Sequence, residues 1–206
     1  SAASDVYKRQ VIASDLDVKH GYKSYLLITL TATLYNPSHI TIGTGDVSFN
    51  LQYKGHPIGT AQISNLVLVP GVNKVATNVH YSPHGSANTA AGQEMLEGYV
   101  QGIEATAVIV GSKDTTPIAS LKEALSGIKL STKIPPLHQL LIIETRLVIP
   151  KNIAQTSTAQ ATFQLKNPFT ASINLVKVKA AAYYQGIYLG VIDQKLKPPI
   201  RAPGHT

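Results

Sequence analysis

From Asp46 to Tyr53 the chain alternates strictly. Val47, Phe49, Leu51 and Tyr53 are apolar or aromatic, and Asp46, Ser48, Asn50 and Gln52 are polar. A period of two marks a strand with one face in a core and one in water. The pattern returns at Val176, Val178, Ala180, Ala182 and Tyr184. On this signal the chain predicts strands near residues 11–19, 24–35, 45–54, 57–68, 73–82, 103–110 and 128–134, then at 137–149, 158–166, 174–184 and 187–196. Two stretches break the rhythm. Residues 87–99 set Ala90, Ala91, Met95, Leu96 and Tyr99 against Gln93, Glu94 and Glu97, which predicts a short amphipathic helix with Asn88 as candidate cap. Residues 117–125 predict a second short helix, with Pro117 in its first turn. Short strands with regular turns predict an all-β sandwich or barrel.

The pattern also repeats at domain length. Residues 31–59 and 162–190 align without a gap at a spacing of 131 residues. Thr31, Leu34, Asn36, Pro37, Ile42, Val47, Tyr53, Gly55 and Gly59 recur as Thr162, Leu165, Asn167, Pro168, Ile173, Val178, Tyr184, Gly186 and Gly190. After a slip of two residues, Pro70-Gly71 recurs as Pro203-Gly204. Asn-Pro ends a strand, because proline donates no hydrogen bond and holds the preceding residue extended. Gly55 and Gly186 fall where a tight hairpin turns. Gly59 and Gly190 fall inside the return strand, where glycine marks a bulge or a close backbone approach. A period this long is a whole domain rather than a solenoid repeat. The expected organisation is a leader outside the fold at residues 1–10, a complete β-sandwich at 11–136 ending on Pro135-Pro136, and the N-terminal half of a second sandwich at 137–206. A half-sandwich leaves an edge and an apolar face open, so the natural protein is expected to continue.

Charge separates the two copies. Residues 1–136 hold ten Lys and Arg against nine Asp and Glu, whereas residues 137–206 hold eight against two. A basic excess of this kind suits an anionic partner, whether a protein or an anionic lipid, and the second copy is the one expected to meet it, through Lys177, Lys179, Lys195 and Lys197. Cysteine is absent, which excludes disulfides, thiol nucleophiles and cysteine metal sites. No apolar run reaches the length needed to span a bilayer as a helix.

Catalytic patterns do not emerge. There is no nucleophile elbow, P-loop or dinucleotide glycine pattern. His80 and His84 have metal-ligand spacing, but Ser82-Pro83 between them predicts a turn rather than the helix that would align them. His56 belongs to the hairpin turn. Asp15 and Asp17 share a strand face but not the opposed placement that paired catalytic carboxylates need. Tyr183, Tyr184 and Tyr188 lie near Lys177, Lys179 and Lys195, as nucleic-acid binding would want. The repeat explains Tyr184 through Tyr53, so nucleic acid is not expected as a partner. No catalytic, cofactor or metal residue is assigned.

The ordered set formed by the Asn-Pro strand end, the Tyr-x-Gly-x-x-x-Gly hairpin, the following Pro-Gly, the mid-domain helix and the closing strand GIKLSTKIP resembles the group 2 late-embryogenesis-abundant (LEA14-like) domain, also called the water-stress and hypersensitive-response domain. It is most similar to the fungal branch with tandem copies, a family of unknown function. The resemblance covers residues 11–206. It implies an immunoglobulin-like or fibronectin-III-like β-sandwich with one or two short helices, duplicated, and no catalytic residues. It also implies a setting on the lumenal side of the vacuolar membrane, behind an N-terminal transmembrane helix, and a link to the termination of autophagy. Three functions stand open: a non-enzymatic interaction or scaffold module, a module for lipid or another apolar ligand, and an enzyme of unrecognised type.

Overall fold

The fold is taken from a computed structural model, which describes residues 10–152, 155 and 160–205. The chain is all-β in character and divides into two compact units, Ser1–His138 and Gln139–Thr206. Residues 1–9 of the expected leader, and residues 158–159 at the start of one expected strand, lie outside the described residues.

The first unit contains β1 (Gln10–Gly21), β2 (Leu26–Asn36), β3 (Ile42–Tyr53), β4 (His56–Leu68), β5 (Gly71–Tyr81), the helix α1 (Ser86–Val100), β6 (Ala105–Val110), a 3-10 turn (Ala119–Leu121) running into α2 (Lys122–Leu125), and β7 (Lys129–Ile134). The strands form one closed barrel in the order β1-β2-β5-β4-β3-β6-β7. Closure comes from a short parallel pairing of residues 10–12 with residues 131–133. Val47, Phe49 and Leu51 are buried on the inner face of β3 while Ser48 and Asn50 stay exposed, as the period-two pattern requires. Ile58, 0% exposed, sits at the centre of the core, where a side chain of its size contributes about 2 kcal/mol by burial. Met95 and Tyr99 turn the buried face of α1 inward. Gly92 of that helix lies so close to the Tyr81 ring that a side chain there would overlap it.

Two polar features pin the loops. Asn36 is buried, and its Nδ2 donates to the carbonyls of Ile40 at 2.9 Å and Leu68 at 3.1 Å. Its Oδ1 accepts from the Ser38 amide at 3.0 Å, so the carboxamide closes the β2–β3 loop onto the end of β4. Asn88 is not the cap of α1. The helix starts at Ser86 behind Gly85, and Asn88 lies in the first turn, donating to the His84 carbonyl and meeting His56 Nδ1 at 3.1 Å.

The second unit contains β8 (Ile142–Val148), β9 (Gln160–Leu165), β10 (Ile173–Tyr184) and β11 (Ile187–Ala202). They form two separate antiparallel pairs, β8-β9 and β10-β11. β8 begins at Ile142 rather than 137: Leu137 still belongs to the first unit, where its amide donates to the Tyr99 carbonyl, and residues 138–140 are exposed. β11 runs past its expected end at 196. Residues 196–199 bulge out between the pairings Lys177↔Lys195 and Leu175↔Ile200, because Pro198 and Pro199 cannot donate to a ladder, and pairing then resumes to Ala202.

The hairpins β3–β4 and β10–β11 share detailed geometry. Lys54 and Gly55 turn the first with φ of 49° and 80°, and Gln185 and Gly186 turn the second with 48° and 81°. Gly59 and Gly190 follow at φ of 152° and 147°, each beside a bulge of its own strand, where Ile58 and Leu189 are the extra residues. Asn167 is buried like Asn36, with Nδ2 donating to Ala171 at 2.8 Å and Oδ1 accepting from the Phe169 amide at 3.0 Å.

Gly59 has a physical reason to be glycine. A Cβ there would collide with the His80 carbonyl of β5. At Gly190 nothing among the described residues lies within 4 Å of the corresponding position. Gly59→Ala is expected to lower stability by about 3 kcal/mol or more, from overlap and positive-φ strain together, whereas Gly190→Ala costs about 1–2 kcal/mol of strain alone. Denaturant unfolding of the two variants measures the difference.

Candidate anionic-partner surface

Antiparallel register decides which side chains of β10 and β11 share a face, because directly opposite residues point the same way. Lys177 lies opposite Lys195, Lys179 opposite Asp193, Ala181 opposite Val191 and Tyr183 opposite Tyr188. Positions two apart along a strand share a face. Lys177, Lys179, Lys195 and Asp193 therefore occupy one exposed face with Tyr183 and Tyr188, whose rings meet edge to face at 5.6 Å. Lys197 departs from this ladder and stands in the adjoining 196–199 bulge, also exposed. The structure thus gathers three of the four expected lysines on one sheet face, with the fourth at its margin.

Asp193 is the component that sequence reading missed. Lys177 Nζ lies 2.8 Å from its Oδ1. The hydrogen bond from Lys177, with the positive charges of Lys177 and Lys179, holds the Asp193 carboxyl below the ordinary aspartate range, against a smaller opposing cost of desolvation. Asp193 lies opposite Lys179 and one pair along from Lys177↔Lys195, so its carboxylate sets a negative charge beside two like charges that face each other across the strands. The signal was present as one acid within a basic segment, but only the cross-strand register identifies its partner.

The apolar end of this hairpin is also exposed: Ile187 is 67% exposed, beside Tyr188 and Leu189. On the other pair of strands, Arg146, Thr162, Phe163 and Gln164 line an open groove of about 340 Å³.

The remaining candidates do not converge. His80 stacks on Tyr25 at 4.1 Å in a row of rings running through Tyr22 to His20, and His84 lies in the loop before α1. Asp15 sits at positive φ in a bulge of β1, which interrupts the alternation expected to align it with Asp17, and Asp17 pairs with Lys19 at 2.7 Å. Glu94 pairs with Lys54, Glu104 with Lys133 and Glu123 with Lys113, all at the surface. Among the described residues no three His, Asp or Glu side chains are grouped to hold a metal ion. No helix among them is long and apolar enough to cross a membrane.

The depressed Asp193 pKa has a signed consequence. A carboxyl lowered in the folded state adds stability above its unfolded pKa and loses it as pH falls through the folded value. The Lys177–Asp193 pair is therefore intact at neutral pH and breaks below the ordinary aspartate value of 3.8. Lys177→Gln is expected to raise the Asp193 pKa toward 3.8, as followed by carboxyl NMR titration. An unchanged titration would show that the pair does not form in solution.

No family model matches the chain in sequence, and no curated protein matches it either. Among solved structures, the crystal structure of a protein from Archaeoglobus fulgidus is similar over 62% of this chain and 99% of its own, at 8% identity and a TM-score of 0.28, a superposition too loose to assign a fold family or a function.

Proposed function

We propose that the chain is a non-enzymatic interaction module that meets an acidic protein partner through the basic face of β10–β11. The observation that carries this reading is the convergence of Lys177, Lys179 and Lys195 on one exposed sheet face around the single carboxylate of Asp193, with Lys197 beside them. Clustered like charge on a flat face raises the encounter rate and local concentration of an anionic partner.

The first unit is a flattened, fibronectin-III-like sandwich, with β1, β2 and β5 in one layer and β4, β3, β6 and β7 in the other. Two short seams support it: β4 pairs β5 only along residues 59–62, and among the described residues β1 pairs β7 along residues 10–12. The second unit is a partial copy of the first. Its support is the shared turn dihedrals, the paired glycines and the recurring buried asparagine. The family resemblance further implies a larger fungal protein anchored in the vacuolar membrane, with these modules on the lumenal side. Fractionation of the full-length gene product tests that setting, and a cytosolic pool would count against it.

A second reading is favoured by one observation. The exposed Ile187, Tyr188 and Leu189 sit at the tip of the hairpin that bears the lysines, an arrangement suited to an anionic lipid surface. Binding to polyglutamate and to phosphatidylserine vesicles separates the two. The protein reading expects polyglutamate binding that weakens with salt and falls about tenfold or more when Lys177, Lys179, Lys195 and Lys197 are all changed to Gln. Vesicle binding without polyglutamate binding selects the lipid reading. Binding to neither, or binding indifferent to the four substitutions, removes both.

A further inference from the structure

One end of the first unit exposes apolar side chains from two strands and two loops. Tyr35 on β2 lies directly opposite Val72 on β5, so both stand on the outer face of that pair. Val67 lies near the end of β4, Val69 in the β4–β5 loop and Ile40 in the β2–β3 loop. All five are exposed, Ile40 by 66% and Val72 by 65%. Asn36 holds the two loops side by side, because its Nδ2 donates to the Ile40 and Leu68 carbonyls together. The five side chains therefore share one tip of the barrel.

The repeated skeleton does not demand this tip. In the second unit Asn167 makes the equivalent loop contact, with Nδ2 donating to the Ala171 carbonyl. Yet Lys166 and Ala171 stand where Tyr35 and Ile40 stand in the first copy. The pin recurs and the apolar surface does not. An exposed apolar cluster that packing does not need marks a surface that is covered in use.

Three observations identify the cover. The first is size. Five side chains of this kind and exposure present on the order of 500 Å², within the usual range for the largest patch on a monomer. A stable protein interface takes about 800 Å² from each partner, so the tip is too small to hold a second copy by itself. The second is the backbone beneath the tip. Asn36 takes the Ile40 and Leu68 carbonyls, and the buried Asn73 donates to the carbonyls of Val69 at 2.8 Å and Gly71 at 3.0 Å while accepting from the Val69 amide at 2.9 Å. A loop that enters lipid must bring its hydrogen bonds with it, because acyl chains supply none, whereas a loop in water can leave the same groups to solvent. The third is charge. Residues 34–45 and 66–79 contain no Asp or Glu. Lys74 shares the outer face of Val72 and lies two residues, about 7 Å, further from the tip, at the level a headgroup phosphate takes above a shallowly buried side chain.

We propose that this tip inserts shallowly into a phospholipid bilayer surface. Ile40, Val67, Val69 and Val72 enter the acyl boundary, and Tyr35 and Lys74 stay among the headgroups, where an amphipathic ring and a long cationic side chain are both accommodated. The tip uses none of the residues of the basic face on β10–β11 and does not rest on that reading.

The test uses the full chain with Lys177, Lys179, Lys195 and Lys197 changed to Gln, so that the basic face contributes nothing, and vesicles of phosphatidylcholine. The chain contains no tryptophan. Ile40→Trp therefore introduces a single reporter at the tip, and Tyr22→Trp introduces one in the exposed turn at the other end of β2 as a control. With vesicles, the fluorescence of the Ile40→Trp chain is expected to shift to the blue and to be quenched by brominated acyl chains, and that of the Tyr22→Trp chain to do neither. Val69→Asp together with Val72→Asp is expected to weaken vesicle flotation by about tenfold or more with the unfolding midpoint kept, since both side chains are exposed. If that pair fails to fold, quenching in the Ile40→Trp chain decides alone. No vesicle binding, binding indifferent to the two aspartates, or quenching in the Tyr22→Trp chain instead would overturn the proposal. Self-association that the two aspartates abolish, in a chain that does not bind vesicles, would give the tip to a second copy and overturn it as well. Binding only to phosphatidylserine vesicles, and only with the four lysines present, would overturn the tip and leave the basic face as the lipid-binding surface.

Discussion

The first unit depends on one close backbone approach. β5 meets β4 only along residues 59–62, and this short seam, with the pairing of β1 to β7, joins β1, β2 and β5 to the rest of the barrel. The approach is possible because residue 59 carries no side chain, so the His80 carbonyl lies where a Cβ would otherwise stand. Further packing follows from it. Ile58, next to the glycine, is fully buried and accepts the Ser82 amide through its carbonyl at 2.9 Å. Tyr81, at the end of β5, meets Gly92 of α1 closely, and burial pushes its phenol above the ordinary tyrosine range. The seam thus also sets where the helix sits.

The second unit has a hairpin of the same turn geometry with a different surface. Outward positions held by Asp46 and Ser48 in β3 are Lys177 and Lys179 in β10. The same backbone therefore presents a nearly neutral face in one unit and a basic face in the other. Charge gathers a partner over about a Debye length, near 10 Å at moderate salt.

Much of the architecture was legible in the sequence because alternation and turn residues are local signals. Val47, Phe49 and Leu51 announced the buried face of β3, and the repeated glycines announced both hairpin turns. Features set by distant partners were not legible. The bulge at Asp15 broke an alternation that looked regular. The Pro198-Pro199 bulge hid the continuation of β11, because pairing resumes only beyond it. Asn88 looked like a cap, yet Gly85 opens the helix and the asparagine side chain reaches back to His84. Thr115 and Thr116 carried no sequence signal, yet both are fully buried, with the Thr116 hydroxyl donating to the Thr44 carbonyl at 2.7 Å and the Thr115 carbonyl accepting from the Ser48 amide. At the candidate surface the lysines could be named from charge alone, but Asp193 and the face they share required the register.

Among the described residues, two hairpins of one shape differ in having and lacking a strand beside the glycine. Amide hydrogen exchange on the chain alone tests this most directly. Amides of residues 59–62 that point toward β5 are expected to exchange slowly, at rates set by opening of the first unit. Amides of residues 190–193 that point away from β10 are expected to exchange close to the unprotected rate. Comparable protection in both segments would contradict the account.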